Sequence, residues 1–266
     1  MDYKDVLKAL KMDNPHRYEK CTIQKIGHYV ESFFEFNNKS IADISQIDFE
    51  NWIVSLRLNN YKQSTIRSIL IQLNTFFNYC VDIEIIDRKP DTPYIRPVNR
   101  KIEYKLNEMD WLRIKEATIN NIGHRAIFET LMSTGARSTE LCRSKREDLD
   151  LDNQNLLLFG KRKKQRYVFL TEECCHWLNL YQTSRIDNNE LLFLTDTDKY
   201  YTNTDLWRLI KHYVKELGLC SEINVRTFRY SFASNLYEGG MDIEYIAYLL
   251  GHVNVEVTKG YIFADE

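Results

Sequence analysis

The prolines of this chain constrain its fold more than any other feature. Three of the four, Pro90, Pro93 and Pro97, lie within eight residues. Each proline removes a backbone N–H donor and disfavours helix in the residue before it, so no helix can run through this stretch. A chain of 266 residues is also long enough for two modest hydrophobic cores. We therefore expect an N-terminal domain at residues 1–92, a linker at 93–103 and a second domain at 104–266.

Before the linker, apolar residues recur with the spacing of amphipathic helices. In the clearest segment Ile66, Ile69, Leu70 and Leu73 follow a period of three to four residues, and Ser64 is placed to cap this helix. Two earlier segments show the same pattern, so the first domain is predicted to be a small helical bundle. Their apolar residues are Tyr29, Val30, Phe33, Phe34 and Phe36 in one segment, and Phe49, Trp52, Ile53 and Leu56 in the other.

After the linker, the pattern predicts helices, then two strands, then helices again. Helices are expected at residues 107–117, 122–132 and about 137–140, with Gly135 ending the second of them. The apolar runs at residues 155–159 and 165–170 predict strands joined by a basic turn. The expected fold class is therefore mainly α with one small β-sheet.

Charge and composition exclude several classes of protein. The formal net charge is -2, which argues against a protein that coats nucleic acid or membrane by bulk charge. Apolar runs of about 18 residues, as needed to cross a bilayer, do not occur. The six cysteines form no C-x-x-C pair, so we expect reduced thiols in a cytoplasmic protein, without a metal site.

Four short segments together carry groups suited to metal-independent attack on a phosphodiester. Arginine forks can neutralise the non-bridging oxygens, whose charge grows in the transition state. A histidine can hydrogen-bond the same phosphate, a lysine can protonate the departing oxygen, and a tyrosine can act as the covalent nucleophile. Each segment alone is equally compatible with a helix cap or a solvated turn. The segments are residues 134–141, 160–161, 226–233 and 249–252, the last followed by Tyr261.

The order and separation of these segments resemble the tyrosine recombinases (the phage integrase family), of the compact Xer type, over nearly the whole chain. The matching patterns are T-G-x-R-x-x-E-L at 134–141, G-K-x-x-K-x-R at 160–166, R-x-x-F-A at 229–233, and L-G-H at 250–252 with a tyrosine nine residues later. The resemblance implies a helical core-binding domain followed by an α+β catalytic domain of the tyrosine recombinase and type IB topoisomerase kind. It implies no cofactor.

The resemblance also assigns roles to single residues. Tyr261 takes the place of the nucleophile, and Lys161 that of the hairpin lysine that acts as general acid. Glu140 takes the place of an acidic residue that orients its neighbours. The groups that would hold the phosphate are Arg137, Arg226, Arg229 and His252.

DNA contacts are expected at two further places. Lys62, Thr65 and Arg67 lie near the start of the third predicted helix, which would face a groove if the first domain is a core-binding domain. The turn between the predicted strands is strongly basic and would meet backbone phosphates, which makes binding dependent on salt. Its candidates are Arg162, Lys163, Lys164 and Arg166.

The sequence departs from the family pattern at two places. Arg226 and Tyr230 stand where histidines are usual. Arginine keeps a hydrogen-bond donor but cannot accept a proton, so we expect activity to survive. Only five residues follow Tyr261, whereas Xer-type relatives continue into a helix that docks on a neighbouring protomer. Assembly would then use another contact, unless the chain is cut short.

The leading hypothesis is a site-specific DNA recombinase that cuts and rejoins strands through a 3′-phosphotyrosine and a Holliday junction, in integration, excision, inversion or dimer resolution. Its partners would be double-stranded DNA and further copies of the chain, as a tetramer on DNA. It would be encoded by a bacterium, a phage or a mobile element. The alternatives are a DNA-binding protein of recombinase ancestry with impaired cleavage, and an enzyme that relaxes DNA or forms hairpins by the same chemistry.

Overall fold

The computed structural model describes residues 2–13, 20–97, 104–160 and 164–262. The chain forms two compact units, residues 1–100 and 101–266. Each unit has its own hydrophobic core.

The first unit is a bundle of helices with an aromatic centre. Phe33 lies 4.7 Å from Phe49 and 6.3 Å from Phe77 between ring centroids, and all three side chains are fully buried. The three predicted helices are confirmed, and a further helix precedes them. The helices are α1 (Tyr3–Asp13), α2 (Lys20–Asn37), α3 (Gln46–Leu58) and α4 (Gln63–Asp82).

The start of α4 differs from the prediction that Ser64 caps it. Lys62 is the capping residue, with an extended backbone, and its carbonyl accepts hydrogen bonds from the amides of Thr65 and Ile66. Ser64 therefore lies inside the first turn, because the helical backbone begins at Gln63. The capping residue makes no side-chain hydrogen bond to the helix.

Part of the predicted linker packs on the first unit. Ile95 is buried among the apolar side chains of the helical bundle, and the Gln63 side-chain amide donates to the carbonyl of Arg96 at 3.1 Å. Residues 93–97 are therefore part of the first unit. Burial of the Ile95 side chain removes apolar surface from water, and this stabilises the packing of the segment on the bundle. Residues 98–103 lie outside the described residues.

The second unit packs helices around a three-stranded antiparallel sheet of order β1-β2-β3. Both predicted strands are confirmed, with Leu157 opposite Tyr167, and a two-residue strand precedes them. The strands are β1 (Leu149–Asp150), β2 (Asn155–Phe159) and β3 (Gln165–Phe169). The helices are α5 (Glu108–Ala117), α6 (Ile122–Thr134), α7 (Ser138–Leu141), α8 (Glu172–Ser184), α9 (Asn203–Glu216), α10 (Val225–Glu238), α11 (Ile243–Leu250) and α12 (Val255–Ile262).

Two glycines end the helices that precede the candidate site residues Arg137 and His252. Gly135 ends α6 at φ 57°, and a Cβ there would lie 2.6 Å from the ring of Phe232. Gly251 ends α11 at φ 65°, and a Cβ there would lie 3.1 Å from Nη1 of Arg166. Both positions combine a left-handed backbone with a close neighbour, so a larger residue would strain either turn.

Candidate active site

Arg137 caps the short helix α7, directly after the turn at Gly135. Its backbone amide donates to Oε2 of Glu140 at 2.9 Å, and its Nη1 donates to Oε1 at 2.8 Å. Nη2 donates to the carbonyl of Gly251 at 3.3 Å. The guanidinium is therefore held from one side while 36% of the side chain stays exposed.

Glu140 is a buried carboxylate surrounded by arginine. Arg166 binds it with two hydrogen bonds, Nη1 to Oε1 at 2.9 Å and Nη2 to Oε2 at 2.8 Å. Burial alone would raise the pKa of Glu140, but the hydrogen bonds and charge of Arg166, together with those of Arg137, lower it to about 2. Glu140 is thus ionised at neutral pH and orients the two arginines without taking or giving a proton.

The position of Arg166 contradicts its prediction as a DNA contact. The residue is only 8% exposed, and its Nε donates to the carbonyl of Leu249 at 2.7 Å. All of its described hydrogen bonds go to Glu140 and Leu249, inside the second unit. The inward face of β3 carries Arg166 beside Val168, so the side chain points to the interior.

Arg229 lies on α10 and joins the ends of two other helices. Nη1 donates to the carbonyl of Gly135 at 2.7 Å, and Nη2 donates to that of Leu250 at 2.5 Å. Burial, and then the nearby charge of Arg137, lower the pKa of Arg229 to about 10, which leaves it protonated at neutral pH. Its Nε is buried and has no hydrogen-bond partner within the described part of the chain.

His252 follows the turn at Gly251 and contacts Arg229 directly. Its Nε2 lies 2.9 Å from Nη2 of Arg229, and its Nδ1 lies 2.8 Å from Oγ1 of Thr258. Burial and the charges of Arg229 and Arg137 lower the pKa of His252 to about 3. The imidazole is therefore neutral at physiological pH.

Tyr261 lies on α12, with its ring against the other predicted site residues. Its ring centroid is 5.4 Å from that of His252. The guanidinium carbon of Arg226 lies 5.6 Å from the Tyr261 ring centroid. Tyr230, which stands where a histidine is usual, is buried and stacks on Tyr261 at 6.1 Å. Arg137, Arg226, Arg229 and Tyr261 line one cleft of about 480 Å³.

Three residues of the basic turn, Lys161, Arg162 and Lys163, lie outside the described residues. The turn begins beside the site, because a Cβ at Gly160 would lie 3.3 Å from Oε1 of Glu140. The amide of Gly160 donates to the carbonyl of Lys164 at 2.7 Å, which closes the base of the turn. The side chain of Lys164 is exposed.

The predicted contacts of the first unit lie together at the start of α4. Lys62 and Arg67 are exposed and Thr65 is half-buried. Thr65 and Arg67 fall in the first two turns of the helix that Lys62 caps.

Sequence reasoning missed several residues that line the cleft or hold the site. Trp207 and Lys211 of α9 line the cleft, and no local pattern marks them, because only tertiary packing brings α9 there. Asn224 also lines it and caps α10, where its side chain accepts from the Arg226 amide at 2.8 Å. An asparagine just before a helical segment is a capping signal that the sequence did offer.

Three further properties follow from the described residues. They contain no group of three or more His, Cys, Asp or Glu side chains placed to hold a metal ion. Cys80, Cys142, Cys174, Cys175 and Cys220 are free thiols. Of the helices in the described ranges, none is both long and apolar enough to cross a membrane.

Comparison with known proteins identifies a family by sequence and a shared fold by structure. The phage integrase family matches residues 106–266. The tyrosine recombinase XerC of Staphylococcus aureus (strain JH9) is 27% identical over 241 residues, which cover 86% of this chain and 80% of that protein. The Tn1549 transposon integrase in complex with circular intermediate DNA has a TM-score of 0.79 at 18% identity, covering 98% of this chain and 95% of that one. A lambda integrase dimer bound to a COC′ core site has a TM-score of 0.77 at 16% identity, covering 97% and 76%.

The two structural matches establish the fold, a helical unit followed by a mostly helical unit with a small sheet. The family match covers more than half of the chain and includes Arg137, Arg229, His252 and Tyr261. This chain therefore belongs to the phage integrase family, the tyrosine recombinases.

Proposed function

We propose that this chain is a site-specific DNA recombinase in which Tyr261 attacks the scissile phosphate. The observation that carries the proposal is one cleft lined by Arg137, Arg226, Arg229 and Tyr261. His252 contacts two of these residues, Arg229 and Tyr261. These residues come from α10, α12, the turn after α11 and the turn before α7, and the sequence separates them by up to 124 positions.

The arginines supply the charge that a phosphodiester needs. In the transition state the non-bridging oxygens carry more negative charge than in the ground state. Fixed guanidinium donors therefore stabilise the transition state more than the ground state. Arg137 is held by Glu140 with part of its side chain exposed, and Arg229 keeps a buried Nε donor without a partner in the described residues. The exposed part of Arg137 lies on the cleft, where its guanidinium can donate to a bound phosphate oxygen.

The reaction exchanges one phosphoester bond for another. The phenolic oxygen of Tyr261 loses its proton to water and bonds to phosphorus, the bond to the 5′ oxygen breaks, and a 3′-phosphotyrosine and a free 5′ hydroxyl result. By family resemblance Lys161 gives the proton to the departing oxygen. Arg226 stays a donor to the phosphate, since a guanidinium has no acceptor. Attack by the 5′ hydroxyl of a second strand reverses the step.

Strand exchange requires more than one copy of the chain on DNA. Two rounds of cleavage and rejoining pass through a Holliday junction, and we propose a tetramer that holds two double-stranded sites. Lys62, Thr65 and Arg67 would contact DNA from the first unit, and Arg162, Lys163 and Lys164 from the second. Contacts of this kind position the DNA through its phosphates without reading its sequence.

Covalent capture of DNA tests this function and identifies the target sequence in the same experiment. The full chain is incubated with sheared DNA that flanks its own gene, the mixture is denatured in detergent, and the DNA retained on the protein is sequenced. The proposal predicts one recurrent cleavage site with wild type and none with Tyr261→Phe. DNA binding without any covalent adduct would instead support the alternative function, a DNA-binding protein with impaired cleavage. Conversion of two captured sites into recombinant products separates a recombinase from a relaxing or hairpin-forming enzyme.

A further inference from the structure

Thr258 contacts Nδ1 of His252. Neither the sequence motifs nor the proposed reaction gives Thr258 a role. Its side chain is fully buried on α12, three residues before Tyr261. Its Oγ1 lies 2.8 Å from Nδ1 of His252. A buried hydroxyl at this distance is a hydrogen-bond partner, and it can donate or accept.

The chemistry of Arg229 fixes the direction of this hydrogen bond in the DNA-free chain. A guanidinium only donates, so Nη2 of Arg229 donates to Nε2 of His252. Nε2 therefore carries no proton, and the neutral ring has its proton on Nδ1. It follows that Nδ1 donates to Oγ1 of Thr258.

Binding of a DNA phosphate at His252 requires the proton to be on the other ring nitrogen. To bind a phosphate oxygen, Nε2 of His252 must carry the proton and donate it. In the free chain, burial and the charges of Arg229, Arg137 and Arg166 lower the pKa of His252 and keep a second proton off the ring. A ring that carries its single proton on Nε2 has an unprotonated Nδ1, which becomes the acceptor. Only a partner that can turn from acceptor to donor can keep its hydrogen bond through this change.

We infer that Thr258 is a positioning residue, which accepts from His252 in the free chain and donates to it when the scissile phosphate binds. In this change one proton leaves Nδ1 for water and one passes from water to Nε2, so the ring remains neutral throughout. The hydroxyl hydrogen of Thr258 rotates toward Nδ1. This inference rests on the proposed function, since it needs a phosphate at His252.

The same hydrogen bond ties α12 to the turn that carries His252. Thr258 and Tyr261 are three positions apart, so they lie on neighbouring parts of one helix face. The ring of Tyr261 lies 5.4 Å from that of His252. A hydroxyl at position 258 thus sets the histidine and the nucleophile relative to each other.

The test uses Thr258→Val, which keeps the branched shape and removes the hydroxyl, and Thr258→Ser, which keeps the hydroxyl. The first measurement is the single-turnover cleavage rate on a nicked duplex of the captured sequence. We expect Thr258→Val to slow adduct formation by about 10- to 100-fold at unchanged DNA affinity, and Thr258→Ser to recover most of that loss. Equal rates for wild type and Thr258→Val would overturn the inference.

The second measurement is the ¹⁵N shift of both His252 ring nitrogens, in the free chain and on intact duplex in a Tyr261→Phe background that blocks cleavage. We expect the proton on Nδ1 without DNA and on Nε2 with DNA. A doubly protonated ring, or a proton that stays on Nδ1, would overturn the role of Thr258 as a reversible partner. If wild type forms no adduct, the proposed function fails, and this failure is distinct from either of those results.

Discussion

Arg166 and Glu140 form a buried two-point ion pair, with Nη1 2.9 Å from Oε1 and Nη2 2.8 Å from Oε2. Glu140 in turn accepts from the backbone and side chain of Arg137. The catalytic candidate at the surface is therefore supported by a second arginine behind it. Within the basic motif, Arg166 therefore supports Arg137 from inside the protein, whereas Arg162, Lys163 and Lys164 are the proposed DNA contacts.

Arg166→Lys separates those two functions. A lysine ammonium cannot reproduce the planar pair with Glu140 and also reach the Leu249 carbonyl, so Arg137 loses support. We expect a cleavage rate lower by about 10-fold or more, with the salt dependence of DNA binding unchanged. The matched control is Lys164→Ala, at an exposed position, which should reduce the salt slope by about 1 with a smaller effect on cleavage. A lower salt slope for Arg166→Lys, with its cleavage rate unchanged, would instead identify Arg166 as a DNA contact.

Glu140→Gln tests the electrostatics of the same pair through stability. The pKa of Glu140 is about 2 in the folded chain and 4.5 ordinarily, so its ionised form stabilises the fold above pH 4.5 and this contribution is lost as pH falls toward 2. The shift corresponds to roughly 3 kcal/mol. We expect Glu140→Gln to be less stable than wild type by an amount of that order at pH 7, and the difference to shrink by pH 3.

Urea unfolding of both proteins at pH 7 and pH 3 checks this prediction. The control is Glu244→Gln at an exposed position of α11, which should change stability by no more than about 0.5 kcal/mol at either pH. A difference between wild type and Glu140→Gln that stays constant with pH would mean that the carboxylate is not held in its ionised form by Arg166.

Arg226→His tests whether arginine at this position serves as a phosphate donor. Arginine stays charged at any working pH, whereas histidine titrates with an ordinary pKa of about 6.5. We expect wild type to cleave with little pH dependence between about pH 6 and 8, and the variant to slow as pH rises through its pKa. An inactive wild type beside an active Arg226→His would show instead that this chain is impaired in cleavage.

Salt dependence tests the proposed contacts of the first unit. Removal of one cation that binds a phosphate should lower the slope of log affinity against log salt by about 1. We therefore expect that effect for Lys62→Ala and for Arg67→Ala in filter binding to the captured site. Lys8→Ala, at an exposed position of α1, is the matched control and should leave the slope unchanged. A nearly flat plot for wild type would contradict binding through clustered cations.

The helices of both units could be predicted largely from apolar periodicity. Ile66, Ile69 and Leu70 repeat at helical spacing and are all buried in α4. Helix α1 was not predicted, because its buried residues are only Val6, Leu7 and Leu10 among charged neighbours. Strand β1 has two residues, which is too short for a period to be visible.

The site could be predicted only as far as local motifs reach. The patterns around Arg137, Arg229, His252 and Tyr261 identified the residues that the fold brings together. Trp207 and Thr258 needed tertiary structure, since α9 and the turn at His252 meet their partners through packing. The inward side chain of Arg166 did have a signal, because residues 166 and 168 share one face of an alternating strand.

In the proposed reaction Tyr261 becomes covalently bound to DNA. The most direct measurement is mass spectrometry of the nuclease- and protease-trimmed adduct formed on a nicked duplex of the captured sequence. We expect a 3′-linked nucleotide on the peptide that contains Tyr261, a free 5′ hydroxyl on the released strand, and no adduct with Tyr261→Phe. A nucleotide on any other residue, or an adduct that persists in Tyr261→Phe, would contradict it.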